Sequence, residues 1–286
     1  MKRLWARWLD ACEAPIDTRA LAVLRISISV VAIWDLQEVW RWGLVDVLYR
    51  SYSHGGLGGF SDPALFLDSA WMGPWAFWGT LVCLICVGLG VATRPAMVGV
   101  LVFWAQLGHL YPPGDRAIDR ILRTAILFLL FSASHRRWSL NRAPPLKRSP
   151  GWPLQLLRWL LVLVYLSAGI SKLMQQPHWL GVQGVPVLYR ILCDPLSAQI
   201  DPLVAQSYFG VFRVLGWATI AVELSAVLLF TRWACWWSAA AVFMHLGVAW
   251  SMKLGMFSWG MIILYLPLFH EQWLPWLDRR RQSMVE

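Results

Sequence analysis

Tyr165, Gly169 and Lys172 stand in the string YLSAGISK near the end of a long apolar run. On a helix they fall at i, i+4 and i+7 and share one face. Ser167, Ala168, Gly169 and Ser171 beside them leave room for a neighbouring helix to approach closely. Lys172 therefore ends a small-residue groove. Away from water, desolvation disfavours an ammonium by up to roughly 3–5 pKa units, so an amine in such a place can be neutral and act as a base. A lysine near the end of a membrane helix has a plainer use, which is to send its ammonium along its stem to the headgroups. Spacing alone leaves both readings open.

Other ionisable residues lie inside apolar runs, where charge is costly and so marks functional candidates. They are Arg25 and Asp35 in the first run, Arg158 in the fifth, Glu223 in the sixth and His245 in the seventh. Counting about 1.5 Å per residue, Asp35, Lys172 and His245 fall in the outer half of the membrane and Glu223 near its middle, so the four can line one cavity. Arg25 and Arg158 lie within a turn or two of the cytoplasmic end and are expected to snorkel. Glu223 also suits a structural pair with a basic group, and His245 suits a satisfied place in the core. The chain has no H-x-x-x-H, no Cys/His cluster, no nucleophile elbow and no phosphate-cradling glycine loop, so no metal site, acyl transfer or nucleotide chemistry is expected. Its five cysteines are too scattered for a disulfide framework. Cys83 and Cys86 form a C-x-x-C in mid-run, where cysteine packs as a small hydrophobe.

The elements that must position these residues are membrane helices. Hydrophobic residues make up 58% of the chain and charged residues 14%, against about a quarter in soluble domains, and mean hydropathy is +0.52. The spacing predicts an all-α polytopic membrane protein with about eight spans, at roughly 20–41, 72–92, 95–111, 117–134, 153–174, 210–231, 234–251 and 254–270. No strand signal and no internal repeat is present. Many of the 21 tryptophans flank these runs, among them Trp40, Trp42, Trp71, Trp75, Trp152, Trp273 and Trp276, as headgroup-level rings do. One domain over 1–286 is expected, with an interfacial helix at 1–18 in place of a removable signal peptide, a bundle at 19–270 and a cytoplasmic basic tail at 271–286. The net charge of +9 sits in short clusters between runs, which orient a membrane protein and do not bind nucleic acid. These clusters place both termini in the cytoplasm and Lys172 on the opposite side, with Arg116 and Arg120 counting against this arrangement. The glycine-rich loop around 55–59 is expected to cap the outer face. The long connection 175–209, with a short helix at 185–192, is expected outside as well, and each serves either as a cover over a site or as an ordinary loop.

The string YLSAGISKL resembles the segment of the vitamin-K-dependent gamma-glutamyl carboxylases that reads Tyr-x-x-Ala-Gly-x-x-Lys-Leu, in which the lysine is the catalytic base. Lys172 holds that position. The stretch from Ala14, with its Pro-x-Asp-x-Arg lead and Arg25, the Asp-Leu at Asp35, and HRRWSLN from His135 are similar to the wider group of carboxylase-like, horizontally transferred transmembrane (HTTM) domain proteins. The likeness runs over nearly the whole chain. It departs at Asn141, where Asp is usual, and at Trp179, whose glycines Gly181 and Gly184 are out of step. The large lumenal portion with which animal carboxylases hold protein substrates is missing from the sequence, so carboxylation of a propeptide-bearing protein is not expected. The resemblance implies a lysine that deprotonates a membrane quinol, whose anion reacts with O2 to give a strong base that removes a carbon-bound proton. It implies Lys172 as the base and a quinone or quinol as cofactor. Joined with the ionisable residues at depth, this makes Lys172 and His245 the catalytic candidates, with Asp35, Tyr165, Gly169, Trp179 and Glu223 lining the site and no metal expected.

Two functions of different kinds follow. One is a quinol-dependent redox or modifying enzyme in a bacterial inner membrane, acting on a substrate or protein partner at the non-cytoplasmic side. The other is a non-catalytic module that binds lipid or quinone and serves a partner protein as a scaffold. A small-solute transporter would show two similar halves with interrupted helices, and the sequence shows no such pairing.

Overall fold

Pro15 sets the first boundary of the chain. A computed structural model describes residues 2–58, 72–140, 144–174, 179, 187–201, 203 and 207–283. In it, helix α1 runs Lys2–Glu13, and Trp5 stacks on Trp8 with ring centroids 5.0 Å apart. The helix stops short of residue 18, since proline biases the residue before it toward extended backbone and has no N–H to continue a helix. A ribbon then appears that the sequence does not announce. Pro15–Asp17 (β1) pairs antiparallel with Arg148–Pro150 (β2), placing Ile16 opposite Ser149. Three-residue strands are too short to show an alternating pattern, and a proline at the far end of each cannot donate to a further strand. Thr18 extends the tie, its N–H donating to the Lys147 carbonyl at 3.1 Å and its hydroxyl to that of Leu146.

The chain forms two compact units, Met1–Gln155 with Leu266–Glu286, and Leu156–Tyr265. The first unit is built on helix α2, Thr18–Arg41, whose N-cap Asp17 accepts from Arg19 N at 2.8 Å. Leu21, Leu24, Ile28, Val31 and Leu36 recur at helical spacing and are buried. Around it lie α3 (Leu44–Tyr49), α4 (Met72–Leu89), α5 (Thr93–Leu110), α6 (Ala117–Leu130) and α12 (His270–Ser283). A Cβ at Gly99 on α5 would come within 2.5 Å of Cys83 Sγ on α4, so the thiol fills the space that glycine leaves. Cys83 and Cys86 are free thiols. In hydrocarbon, where helices associate by packing and not by excluding water, such close fits carry much of the adhesion. The C-terminal stretch expected as a basic tail is largely helical, and its Asp278 accepts from Arg19 Nη1 at 2.6 Å.

The second unit holds most of α7 (Trp152–Met174), then α8 (Val187–Leu192), α9 (Phe209–Leu224), α10 (Ala234–Ser251) and α11 (Phe257–Ile263). Helix α8 matches the short helix expected near 185–192, and its Leu192 packs with Phe212 and Met252. The chain after α8 is tied to the end of α10, with Gln199 N donating to Ser251 O at 2.9 Å and Lys253 N to Ser197 O at 2.8 Å. Two expected spans are interrupted. Helix α9 gives way to a 3-10 turn, Ala226–Phe230, and Trp237 Nε1 donates to Val222 O at 2.9 Å, satisfying a carbonyl at the helix end. Helix α11 ends before a 3-10 turn at Leu266–Phe269 that contains Pro267.

Among the described residues three helices are long and apolar enough to cross a membrane: Thr18–Arg41, Met72–Leu89 and Trp152–Met174. Of the other expected spans, α6, α9 and α11 are shorter, at 14, 16 and 7 residues, whereas α5 and α10 have 18 residues each, as α4 does, and are less apolar.

Candidate functional site

Helix α7 carries Tyr165, Gly169 and Lys172 along one face, and α9 brings Glu223 to it. Lys172 Nζ donates to Glu223 Oε1 at 2.6 Å, and the two side chains are only 17% and 8% exposed. The amine is thus turned onto a carboxylate. The ring of Trp179 lies with its centroid 5.0 Å from Nζ, within cation–π range. Gly169 makes this arrangement possible, because a Cβ there would stand 2.9 Å from Leu224 Cδ2 and 3.1 Å from Glu223 Cβ. The expected groove is therefore filled by α9, whose close approach delivers the carboxylate. Glu223 Oε2 is buried and has no hydrogen-bond partner among the described residues.

Two turns back along α7, Tyr165 joins a second set of buried groups. Tyr265 OH donates to Tyr165 OH at 2.7 Å, and Tyr165 OH lies 2.6 Å from His245 Nε2. With the first hydroxyl receiving a hydrogen from Tyr265, its own points to Nε2, so a neutral His245 carries its hydrogen on Nδ1. That Nδ1 is buried and has no partner among the described residues. Trp237 meets Tyr165 edge-on at 5.1 Å, and Phe257 meets His245 at 5.6 Å, which fixes both rings. Tyr265 escapes the sequence reading because its only signal is a hydroxyl in an apolar run.

An HTTM domain is matched over residues 13–273. The chain belongs to the HTTM family. No curated protein and no solved structure matches it.

In the HTTM protein the remaining candidates belong to the first unit. Asp35 is in the first unit, where it holds Arg116 through two bonds, Nη2 to Oδ2 at 2.5 Å and Nη1 to Oδ1 at 3.1 Å. Arg116 also binds Asp119, while Arg120 and Arg123 bind Asp115 at 2.8 Å each. Burial pushes the Asp115 carboxyl up, but hydrogen bonds from Arg123 and Arg120 outweigh this and hold it below the usual carboxylate range. Arg25 does not snorkel. It is fully buried, and its Nη1 donates to Val87 O at 2.9 Å and its Nη2 to Trp138 O at 2.6 Å. Val87 lies in the last turn of α4, whose unsatisfied carbonyls give a guanidinium what headgroups would otherwise supply. No metal-holding cluster of His, Cys, Asp or Glu occurs among the described residues. Trp71, Asn141, Gly181 and Gly184 lie outside the described residues.

Proposed function

We propose that this HTTM protein is a quinol-dependent membrane enzyme, redox or modifying, in which Lys172 is the base. The observation that carries the reading is the 2.6 Å contact of Lys172 Nζ with Glu223 Oε1 inside an apolar helix pair. An ammonium cannot take a proton. Lys172 becomes a base once its hydrogen passes to the adjacent carboxylate, and it then accepts one from a quinol hydroxyl. Groups of the same unit suit such a substrate: Glu223 Oε2 and His245 Nδ1 have no hydrogen-bond partner among the described residues, and Trp179 offers a flat ring. Glu223 would accept from a hydroxyl and His245 would donate to an oxygen. A quinol bound there would supply electrons to O2, as the resemblance implies; the chain's own residues would bind it, orient it and move its proton. The resemblance to the carboxylases supports the same base. We also take the five other apolar runs to cross the membrane. Helix α9 with its 3-10 turn reaches about 34 Å, enough for a hydrocarbon core of about 30 Å. This gives eight spans, with both termini in the cytoplasm of a bacterial cell and Lys172 toward the outside.

A second reading is a lipid- or quinone-binding scaffold for a partner protein. It is favoured by the closed ion pair itself, since a lysine already satisfied by a glutamate can simply join two helices. Turnover decides between the readings. In proteoliposomes supplied with short-chain ubiquinol or menaquinol analogues, Lys172→Arg keeps a cation for Glu223 but cannot lose its proton. The enzyme reading expects normal insertion and no quinol oxidation. Wild-type turnover by Lys172→Arg would sink the base and leave the scaffold.

A further inference from the structure

The arginines of this protein differ in what they pair with. Arg19, Arg50, Arg116, Arg120 and Arg123 each pair with an aspartate. Arg94, Arg136 and Arg137 form no ion pair among the described residues. The Nε atoms of Arg136 and Arg137 are turned from solvent with no acceptor.

These three are held together by the backbone. Ser139 Oγ donates to Gly90 O at 2.6 Å and Leu140 N to Leu89 O at 3.0 Å, so the stretch after α6 is pinned to the turn between α4 and α5. Arg94 opens α5 beside that turn. Underneath, Arg25 bonds to Val87 O and Trp138 O, and its Nε is a further buried donor without a partner. Burial, and then the charges of Arg94, Arg136 and Arg25, hold the His135 imidazole below its ordinary pKa, so positive potential accumulates here. Arg137 also acts on Asp17, whose carboxylate Arg19 already holds. Ala92 and Trp138, the non-glycine residues with positive φ among the described residues (42° and 45°), flank this same place. Left-handed backbone at such residues is kept where the surroundings over-determine it, commonly at binding sites.

We propose that Arg94, Arg136 and Arg137 bind the phosphate of an anionic phospholipid headgroup. Apolar side chains next to the arginines distinguish a lipid from free phosphate: Leu89, Val91, Trp138 and Leu140 are 51%, 41%, 46% and 69% exposed and give acyl chains a surface to follow. Guanidinium forks match phosphate oxygens in pairs. Each basic group near an anionic leaflet is worth about fivefold in affinity, so three together give about a hundredfold.

The test uses the full chain in neutral detergent, with lipid retention read by native mass spectrometry and thermal midpoints recorded alongside. Added dioleoyl phosphatidylglycerol should bind about a hundredfold more tightly than dioleoyl phosphatidylcholine. The combined change Arg94→Gln, Arg136→Gln and Arg137→Gln should erase that preference, whereas Arg41→Gln, at another exposed arginine, should leave it. Should the triple variant fail to fold, Arg94→Gln alone is expected to lose about fivefold. An unchanged preference in the variants, or an equal loss with Arg41→Gln, overturns the site. Inorganic phosphate that stabilises as well as phosphatidylglycerol assigns the arginines to a soluble anion and overturns the lipid.

Discussion

Lys172 and Glu223 are 51 residues apart in sequence and 2.6 Å apart in space, and Gly169 is what lets them meet. A methyl group at Gly169 would press on Leu224 and on Glu223 Cβ, both within 3.1 Å of where it would sit. Overpacking of this kind costs about 1–3 kcal/mol. Gly169→Ala is therefore expected to lower the unfolding midpoint in detergent, and Gly169→Val to lower it further; midpoints equal to wild type would show that α9 does not pack here. The tyrosine pair allows a ranked prediction. Tyr165→Phe strips a partner from both Tyr265 OH and His245 Nε2, whereas Tyr265→Phe removes one donor and leaves the Tyr165–His245 bond in place. Each buried polar group left alone costs about 1–3 kcal/mol, so Tyr165→Phe should be the less stable of the two, and the reverse order in denaturation would refute the network as described. Tyr165, Gly169 and Lys172 were legible beforehand because one helix carries all three at a fixed spacing. Glu223 and His245 were legible as costly groups in apolar runs, but not their partners, because pairing between helices leaves no periodic trace. Tyr265 left no trace at all.

Helix boundaries follow chain chemistry where proline or glycine interrupts an apolar run. Thus α5, α7 and α10 begin and end close to their expected limits, and α1 stops before Pro15. Breaks made by tertiary contacts are different: α9 ends where Trp237, from a later helix, takes the Val222 carbonyl. The β1–β2 ribbon, six residues in all, falls below any pattern that a sequence can show. The turn between α5 and α6 shows how charge then secures an element. Asp115 there is held by Arg120 and Arg123, and its carboxyl lies below the ordinary 3.8. A group with a lowered folded pKa stabilises the fold fully above its unfolded value, and the contribution is lost as pH falls through the folded value. The protection of amides in this turn, taken relative to the intrinsic exchange rate at each pH, should accordingly be flat from neutral pH to about pH 4 and fall only below it. Asp115→Asn should exchange faster throughout and lose that acid dependence. Acid-induced loosening that begins near pH 6 would assign the effect to another group.

At the scale of the molecule, composition alone shows a helical membrane protein, and the HTTM match over residues 13–273 gives its family. Orientation rests on a separate physical basis, the asymmetry of lysine and arginine between the short connections. Arg116 and Arg120 stood against it, yet both are committed to aspartates of the first unit, which accounts for their presence at a turn on either side of the membrane. The basic stretch before β2 and the α8–α9 connection should then face opposite compartments. Single cysteines report this directly, in a background where Cys12, Cys83, Cys86, Cys193 and Cys235 are replaced. Lys147 suits the first position because its side chain is exposed, whereas Ser149 is buried in the ribbon; Leu196, 86% exposed, suits the second. Cys83 and Cys86 lie within α4 with no cation beside them among the described residues to favour a thiolate, so their removal is expected to leave abundance intact. In intact cells a membrane-impermeant maleimide should label Leu196→Cys and leave Lys147→Cys unlabelled until the membrane is opened. Labelling of Lys147→Cys alone would invert the molecule and put Lys172 at the cytoplasmic face. Labelling of both from outside would mean an even number of crossings between them, where among the described residues α7 is the one helix long and apolar enough to span, and the eight-span count would fall.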